Sequence, residues 1–205
     1  SKKFLAICEN FSPDVELFSI DEVFIDATLT NHLFGGVYNM VRAIKKRIRE
    51  ELGEYITVSV GISHNKLLAK LASGMNKPDG MFEITKKNLE SVYKIAKLTD
   101  ICGIGERVKL RLNKIGIYSL IQLRDTNIKS LISEFGSAEA EFLKDVGFGK
   151  DCESFNSWKS APDVKSVGRN YCLPKNEYNK TVILQNIYEL CEEVGIKLRR
   201  LDKKA

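Results

Sequence analysis

The sequence lacks any apolar run near the roughly 20 residues that a membrane-spanning helix needs. It also lacks a signal-peptide core, because the apolar stretch after Lys3 is interrupted at Glu9 and Asn10. No initiator methionine is present, and we therefore expect Ser1 to mark the start of a fragment. The absence of a long apolar run argues against a helical membrane protein.

Patterns for zinc and for disulfides are missing as well. The five cysteines are widely spaced and odd in number, no C-x-x-C pair occurs, and His32 and His64 lie in no metal-ligand spacing. Disulfide frameworks belong to oxidising compartments. The cysteines are therefore predicted to be free thiols, and the protein is predicted to be cytoplasmic.

What the sequence does contain is an ordinary globular composition with an uneven charge. Its 205 residues are 43% hydrophobic and 29% charged, enough for one large domain or two small ones. Residues 1–84 hold 10 basic and 11 acidic residues, residues 85–155 hold 12 and 10, and residues 156–205 hold 10 and 6. The basic excess grows toward the C-terminus, which favours a polyanionic partner there.

Apolar periodicity changes in character at about residue 85. Before it, strands are predicted at residues 15–19, 22–26, 55–62 and 81–84, and helices at 37–52 and 64–75. The first two strands predict a hairpin, and 55–62 has the clearest alternation. Gly53 is expected to end the first helix and Ser63 to cap the second. The order predicts an α/β layer in which helices cover a sheet.

After residue 85 only helices are predicted until the C-terminal segment. They span residues 86–95, 106–115, 118–124, 127–134 and 137–145. A linker is expected over 147–164, followed by a strand at 167–173 and a long helix at 181–200. One strand and one helix cannot bury both their faces, so this third piece is expected to be a truncated domain or to lean on a partner.

Two adjacent carboxylates, Asp21 and Glu22, lie at the tip of the predicted hairpin. Their repulsion is relieved if a cation lies between them, and Mg²⁺ binds one or two carboxylates together with substrate phosphates. The pair therefore fits metal-assisted phosphoryl transfer. Acidic residues are also common at hairpin ends, so a solvated turn is the alternative.

A Gly103-Ile104-Gly105 turn precedes a helix rich in arginine and lysine. Glycines let the backbone approach a phosphate, and the amides at the start of the next helix favour an anion. The pattern predicts a helix-hairpin-helix that holds a nucleic-acid backbone without reading its sequence. A tight turn between packed helices is the alternative.

Two further segments carry candidate phosphate ligands. Lys77 lies in a turn before Pro78 and is the favoured triphosphate clamp, whereas Lys66 is expected on a solvated helix face and Lys70 fits either role. The stretch 165–169 combines small residues with flanking cations and is a weaker candidate for lying along a phosphate backbone.

Taken together, these segments resemble the Y-family translesion DNA polymerases of the DNA polymerase IV type. Residues 19–26, SIDEVFID, are similar to the S-[IV]-D-E-A-[YF]-L-D palm motif. Residues 57–80 are similar to the [TS]-x-S-x-G-I-[SA]-x-N-K…[MS]-x-K-P-[ND]-G block. Residues 102–105 resemble the thumb motif P-G-[IV]-G, with Cys102 in place of proline, and 165–169 resemble the first little-finger strand.

The resemblance implies a fold, a reaction and a set of site residues. The implied fold is a partial α/β palm over 1–84, an all-helical helix-hairpin-helix thumb over 85–154, a linker over 155–164 and a truncated α+β little finger over 165–205. The implied reaction transfers a nucleotide from a dNTP to a primer 3′-hydroxyl on template DNA, with two Mg²⁺ ions. The implied residues are the catalytic metal ligands Asp21 and Glu22, the triphosphate ligand Lys77, and the DNA contacts Gly103, Gly105, Ser166, Gly168 and Arg169.

The sequence also departs from the family pattern. Family members open with a palm strand that bears another metal-binding aspartate, followed by the fingers, and they continue past the first long helix of the little finger. We therefore expect a fragment that is inactive by itself and lacks the tail through which a sliding clamp could bind. Two other functions stay open: a non-catalytic helix-hairpin-helix module that binds DNA backbones, and a palm-like nucleotidyl cyclase, which would need no thumb.

Overall fold

A computed structural model of the chain describes residues 2–151, 154–156 and 164–204. The chain divides into two units, Ser1–Lys159 and Ser160–Ala205. Most of the expected linker at 155–164 lies outside the described residues, as does Cys152. The other four cysteines are free thiols, Cys8 buried and the rest exposed.

Helices and strands alternate in the first half of the Ser1–Lys159 unit. In chain order they are α1 (Lys2–Glu9), β1 (Val15–Leu17), β2 (Val23–Ile25), a 3₁₀ helix (Asn31–Phe34), α2 (Val37–Leu52), β3 (Val60–Ile62), α3 (Lys66–Met75) and β4 (Met81–Glu83). β1 and β2 form the predicted antiparallel hairpin, with Val15 opposite Ile25 and Leu17 opposite Val23. β3 and β4 run parallel. The described strands thus form two separate two-stranded sheets.

The predicted strand at 55–62 is wrong for its first five residues. Only residues 60–62 pair, with β4, while Tyr55 is 93% exposed. Alternating side chains fit a half-buried strand, but a strand also needs a neighbour for its backbone groups, and β4 offers three residues. The periodicity therefore located the strand but overestimated its length.

Helix ends agree with the sequence at α2 and differ at α3. Gly53 ends α2 with a positive φ of 134°, as expected. The cap of α3 is Asn65 rather than Ser63, because Asn65 Oδ1 accepts the Leu68 amide hydrogen at 2.9 Å. The Ser63 hydroxyl instead donates to the Ile84 carbonyl at 2.7 Å, which ties the end of β3 to the end of β4.

The second half of the same unit is helical, as predicted. It contains α4 (Leu89–Ile95), a 3₁₀ helix (Leu98–Asp100), α5 (Glu106–Lys114), α6 (Leu120–Asp125), α7 (Ile128–Phe135) and α8 (Ser137–Gly147). Its hydrophobic core joins Leu112 and Leu143 to Leu68 and Leu71 of α3. α3 therefore packs with the helical half, so the core crosses the predicted domain boundary after residue 84, and that boundary stays a prediction.

Tyr93, in this core, makes the stability of the fold depend on pH. Its side chain is 1% exposed, and its hydroxyl donates to the Val146 carbonyl at 2.7 Å. Burial raises the pKa of Tyr93 from its ordinary value of 10.0 to about 12. Between these values the unfolded chain binds fewer protons than the folded one, so stability falls as the pH rises, by about 1.4 kcal/mol per pH unit.

We expect Tyr93→Phe to remove this slope between pH 10 and 12. The urea-unfolding free energy of both proteins, measured from pH 8 to 12, tests it. Burial also raises the pKa of Cys8 to about 12, but Cys8 is present in both proteins and drops out of their difference. Equal slopes for Tyr93→Phe and the parent protein would contradict the assignment.

The Ser160–Ala205 unit contains one described helix, α9 (Lys180–Arg200), close to the predicted 181–200. The strand predicted at 167–173 is wrong, because residues 164–173 have no regular secondary structure. A strand requires a hydrogen-bonded partner, and the described residues of this unit contain no other strand. Over the described residues, no helix has the length and apolar character needed to cross a membrane.

Candidate active site and nucleic-acid interface

The hairpin tip holds Asp21 and Glu22 side by side. The amides of Phe18 and Ser19 both donate to the Glu22 carbonyl, at 3.0 and 3.1 Å. The Ser19 hydroxyl donates to Asp21 Oδ1 at 3.0 Å and lies 3.4 Å from Glu22 Oε2. These bonds fix the turn with Asp21 exposed and Glu22 partly buried.

Lys70 of α3 forms an ion pair with Glu22. Its Nζ also lies 5.8 Å from the centroid of the Phe18 ring. Only 27% of the Lys70 side chain and 37% of the Glu22 side chain are exposed. Lys70 therefore offsets part of the repulsion between Asp21 and Glu22, which is neither the triphosphate clamp nor the solvated helix face that the sequence left open for it.

Asp21, Glu22, Lys70 and Lys77 line one open groove of about 970 Å³. Residues of β2 and β3 and apolar residues of α2 line it too. Lys77 is exposed, and no ion pair or hydrogen bond of its ammonium group is found within the described part of the chain. An exposed ammonium in the same groove as two carboxylates is suited to bind an anion beside a metal ion.

The carboxylate pair offers only oxygen donors, which suits a hard cation. The described residues contain no group of three or more His, Cys, Asp or Glu side chains that could hold a metal. Mg²⁺ does not need such a cage, since it is commonly held by one or two carboxylates, with substrate phosphates and water completing its shell. Asp21 and Glu22 fit that mode of binding.

Asp79 anchors the turn that carries Lys77. Its carboxylate forms one ion pair with Lys45 at 2.9 Å and another with Arg49, both on α2. The hydrogen bond from Lys45 is the main reason why the pKa of Asp79 is lowered from its ordinary value. This anchor could not be predicted from the sequence. The only sequence features that could have indicated it are a single acidic residue in a turn and a strongly basic helix elsewhere in the chain.

Lys66 does not lie on a solvated helix face, and that expectation was wrong. Its side chain is 11% exposed, and its Nζ lies 2.9 Å from Oε1 of Glu16 in β1. The acidic partner comes fifty residues earlier in the sequence and on a strand. Helical spacing around Lys66 could not reveal it.

The two glycines of the 102–105 turn differ in whether the fold requires glycine at their positions. Gly103 has a φ of +95°, and a β-carbon there would lie 2.7 Å from Cζ of Phe142. Gly105 has a φ of −82° and caps α5, and a β-carbon there would meet no atom within 4 Å. The fold itself therefore explains Gly103. At Gly105, packing leaves the backbone open to an approaching group.

The other predicted DNA contacts lie in the Ser160–Ala205 unit. Ser166, Gly168 and Arg169 are exposed. Arg169 Nε lies 2.5 Å from Oε2 of Glu193, and Lys197 Nζ donates to the Gly168 carbonyl at 3.0 Å. α9 thus holds this segment in place, and the Arg169 charge is partly neutralised before any phosphate binds.

Comparison with known proteins places these features in a family. Residues 1–74 match the family model described as impB/mucB/samB. The chain is 34% identical to DNA polymerase IV of Moorella thermoacetica over 97% of the chain and 49% of that protein. It is 32% identical to DNA polymerase IV of Clostridium kluyveri over 100% of the chain and 50% of that protein. The chain thus spans about half the length of these curated relatives.

Solved structures give the same answer. A Y-family DNA polymerase chimera, Dbh-Dpo4(243-245)-Dbh, is 30% identical, with a TM-score of 0.78 over 96% of this chain and 56% of that chain. A DinB family error-prone DNA polymerase from Sulfolobus solfataricus is also 30% identical, with a TM-score of 0.66 over 96% of this chain and 57% of that chain. The sequence motifs, the fold and these relatives agree, and the chain belongs to the Y family of DNA polymerases, of the DNA polymerase IV (DinB) type.

Proposed function

We propose that the protein carrying this chain is a translesion DNA-directed DNA polymerase. It adds a nucleotide from a dNTP to a primer 3′-hydroxyl opposite a template base, including damaged bases. The observation that carries the proposal is the shared groove, in which Asp21, Glu22 and Lys77 combine a carboxylate pair with an unneutralised ammonium. Residues 1–84 would be the palm, 85–154 the thumb and 165–205 part of the little finger.

The residues of the groove divide the work of nucleotidyl transfer. Asp21 and Glu22 would hold Mg²⁺, two ions in the complete enzyme, and the bound metal supplies a Lewis acid that stabilises charge on the reacting phosphate. Lys77 binds the triphosphate as a point charge. Lys70 holds the Glu22 carboxylate, and the Ser19 hydroxyl orients Asp21. The protein contributes mainly positioning.

DNA binding is assigned to other parts of the chain. The backbone at Gly103 and Gly105 would approach the phosphates of primer–template DNA, and Ser166, Gly168 and Arg169 would lie along it. The open space at Gly105 supports this role. A sliding clamp as partner and a cytoplasmic location stay expectations from the sequence.

Primer extension by the protein carrying this chain tests the proposal. We expect template-directed extension with dNTPs and Mg²⁺, on an undamaged template and past a lesion, and none when the metal is chelated with EDTA. DNA binding without extension under any divalent metal would overturn the polymerase. It would favour the second candidate, the non-catalytic DNA-backbone module, which the open turn at Gly105 also supports.

DNA binding by the 205-residue chain provides a second test. Phosphates neutralised by lysine or arginine release counterions, so log affinity should fall linearly with log salt, with a slope of about −0.9 per phosphate neutralised. With roughly two to four contacts the slope should be shallow. Gly105→Val should weaken binding without changing the slope, because it blocks backbone approach and removes no charge. Arg169→Ala should reduce the slope by about one unit or less, since Glu193 already neutralises part of its charge.

These measurements use fluorescence anisotropy with duplexes of two unrelated sequences. Circular dichroism should show both variants folded, since the open space at Gly105 admits a side chain and Arg169 is exposed. Unchanged binding by both variants would show that neither residue touches DNA. Strong preference for one duplex would contradict a grip on the backbone, which carries no sequence information directly.

A further inference from the structure

A largely buried ion pair joins β1, the first strand of the carboxylate hairpin, to α3. Glu16 belongs to β1 and Lys66 is the first residue of α3; Lys66 Nζ lies 2.9 Å from Glu16 Oε1 and 3.2 Å from Oε2. Their side chains are only 13% and 11% exposed. The Phe24 ring centroid lies 5.9 Å from Lys66 Nζ. Two charges so far withdrawn from water persist only where each is well paired and hydrogen-bonded.

Both charges also bind the same short stretch of backbone, residues 154–156. Lys66 Nζ donates to the Ser154 carbonyl at 3.0 Å. The Asn156 amide donates to Glu16 Oε2 at 2.7 Å. The acid thus accepts from a backbone N–H and the base donates to a backbone C=O two residues away, so both members of the pair bind the same segment.

The start of α3 holds the residues just before this stretch. Asn65 Nδ2 donates to the Gly149 carbonyl at 2.8 Å, while its Oδ1 caps the helix. The Leu67 amide donates to Asp151 Oδ2 at 2.9 Å. An unsupported loop leaving a helical bundle would be solvated by water, whereas this one is bonded to α3 and β1 at several described residues.

We infer that Glu16 and Lys66 form a latch that fixes residues 154–156, the exit segment, against β1, the first strand of the carboxylate hairpin. Residues 154–156 are the last described residues of the Ser1–Lys159 unit. The chain that continues to the second unit therefore starts from a fixed point beside β1. Glu16 is a positioning residue that serves both the hairpin strand and this exit segment. This contact requires no polymerase chemistry and is therefore independent of the proposed function.

Amide hydrogen exchange in the full 205-residue chain tests the latch. The informative variant is the double substitution Glu16→Leu with Lys66→Met, because replacing both members of a buried pair by apolar residues tends to preserve folding, whereas removing one strands a charge. The double variant leaves the Asn156 amide without its acceptor. We expect that amide, followed by NMR, to exchange about tenfold faster or more than in the parent chain.

The Leu68 amide, bonded to the Asn65 cap, reports whether α3 remains folded, and its exchange should not change. Lys94→Met is the matched control, since it breaks an exposed pair with Glu90 on α4 and should leave Asn156 protected. Unchanged exchange at Asn156 in the double variant would overturn the latch. Equal acceleration at Asn156 and Leu68 would also overturn it, because the pair would then stabilise the helix and not the exit segment.

Discussion

Asp21→Ala in the protein carrying this chain is expected to lower nucleotide incorporation by at least about 100-fold, the scale seen when a group that stabilises transition-state charge is removed. DNA affinity should stay within about twofold, because phosphate contacts made elsewhere supply most of it. The reason is the geometry of the hairpin, in which Asp21 is exposed in the groove and oriented by the Ser19 hydroxyl. Single-turnover incorporation and a parallel binding titration separate the two effects.

Asp14→Ala is the matched control for this experiment. Asp14 is an exposed aspartate at the other end of the same hairpin, where its carbonyl accepts the Asp26 amide hydrogen at 3.0 Å, and it does not line the groove. The control should incorporate nucleotides at the rate of the parent protein. If Asp21→Ala did the same, the hairpin tip would be a solvated turn and the metal assignment would fall.

The features that the sequence predicted well depend on residues near each other in the chain. The β1–β2 hairpin, the bounds of α2 and the pairing of Asp21 with Glu22 follow from local periodicity and adjacency. The long 57–80 block likewise contains both β3 and the Lys77 turn. Patterns of this kind survive folding because turns and helices bring close neighbours together by backbone geometry alone.

The features that the sequence missed depend on partners far away in the chain. Lys66 is largely buried against Glu16, which lies fifty residues earlier in the sequence. Asp79 is anchored by Lys45, which lies thirty-four residues earlier. The strand predicted at 167–173 is wrong because its backbone has no neighbouring strand to pair with among the described residues, although its side chains alternate. A single sequence shows which side chains are available, but not which distant ones they meet.

Two glycines of the 57–80 block show how much of a family motif can be structural. A β-carbon at Gly61 of β3 would lie 1.9 Å from the Ala69 carbonyl oxygen and 2.3 Å from the Ser73 amide nitrogen of α3. One at Gly80 would lie 1.5 Å from the Asn76 carbonyl oxygen. These are backbone atoms and cannot rotate away. Gly61 therefore lets β3 pack directly on α3, the helix that carries Lys66 and Lys70, and Gly80 lets the Lys77 turn close tightly on Asn76, the residue that follows α3.

Gly61→Ala is accordingly expected to destabilise the chain by about 3 kcal/mol or more, at or beyond the upper end of what overpacking usually costs. Relief requires β3 to move off α3, which also displaces the groove that β3 lines. Chemical denaturation followed by circular dichroism measures the loss. Because the clash is between the β-carbon and backbone atoms, Gly61→Ser should destabilise the chain at least as much as Gly61→Ala.

Gly74→Ala on α3 is the matched control, because a β-carbon there would meet no atom within 4 Å. Glycine inside a helix loses more backbone entropy on folding than alanine, so this variant should be more stable by about 0.5–1 kcal/mol. The same Gly→Ala change at two positions thirteen residues apart should thus alter the free energy of unfolding in opposite directions. If Gly61→Ala were as mild as Gly74→Ala, β3 would not be packed on α3 as described. The placement of Lys70 and Lys77 in one groove with the carboxylates would then lose its structural basis.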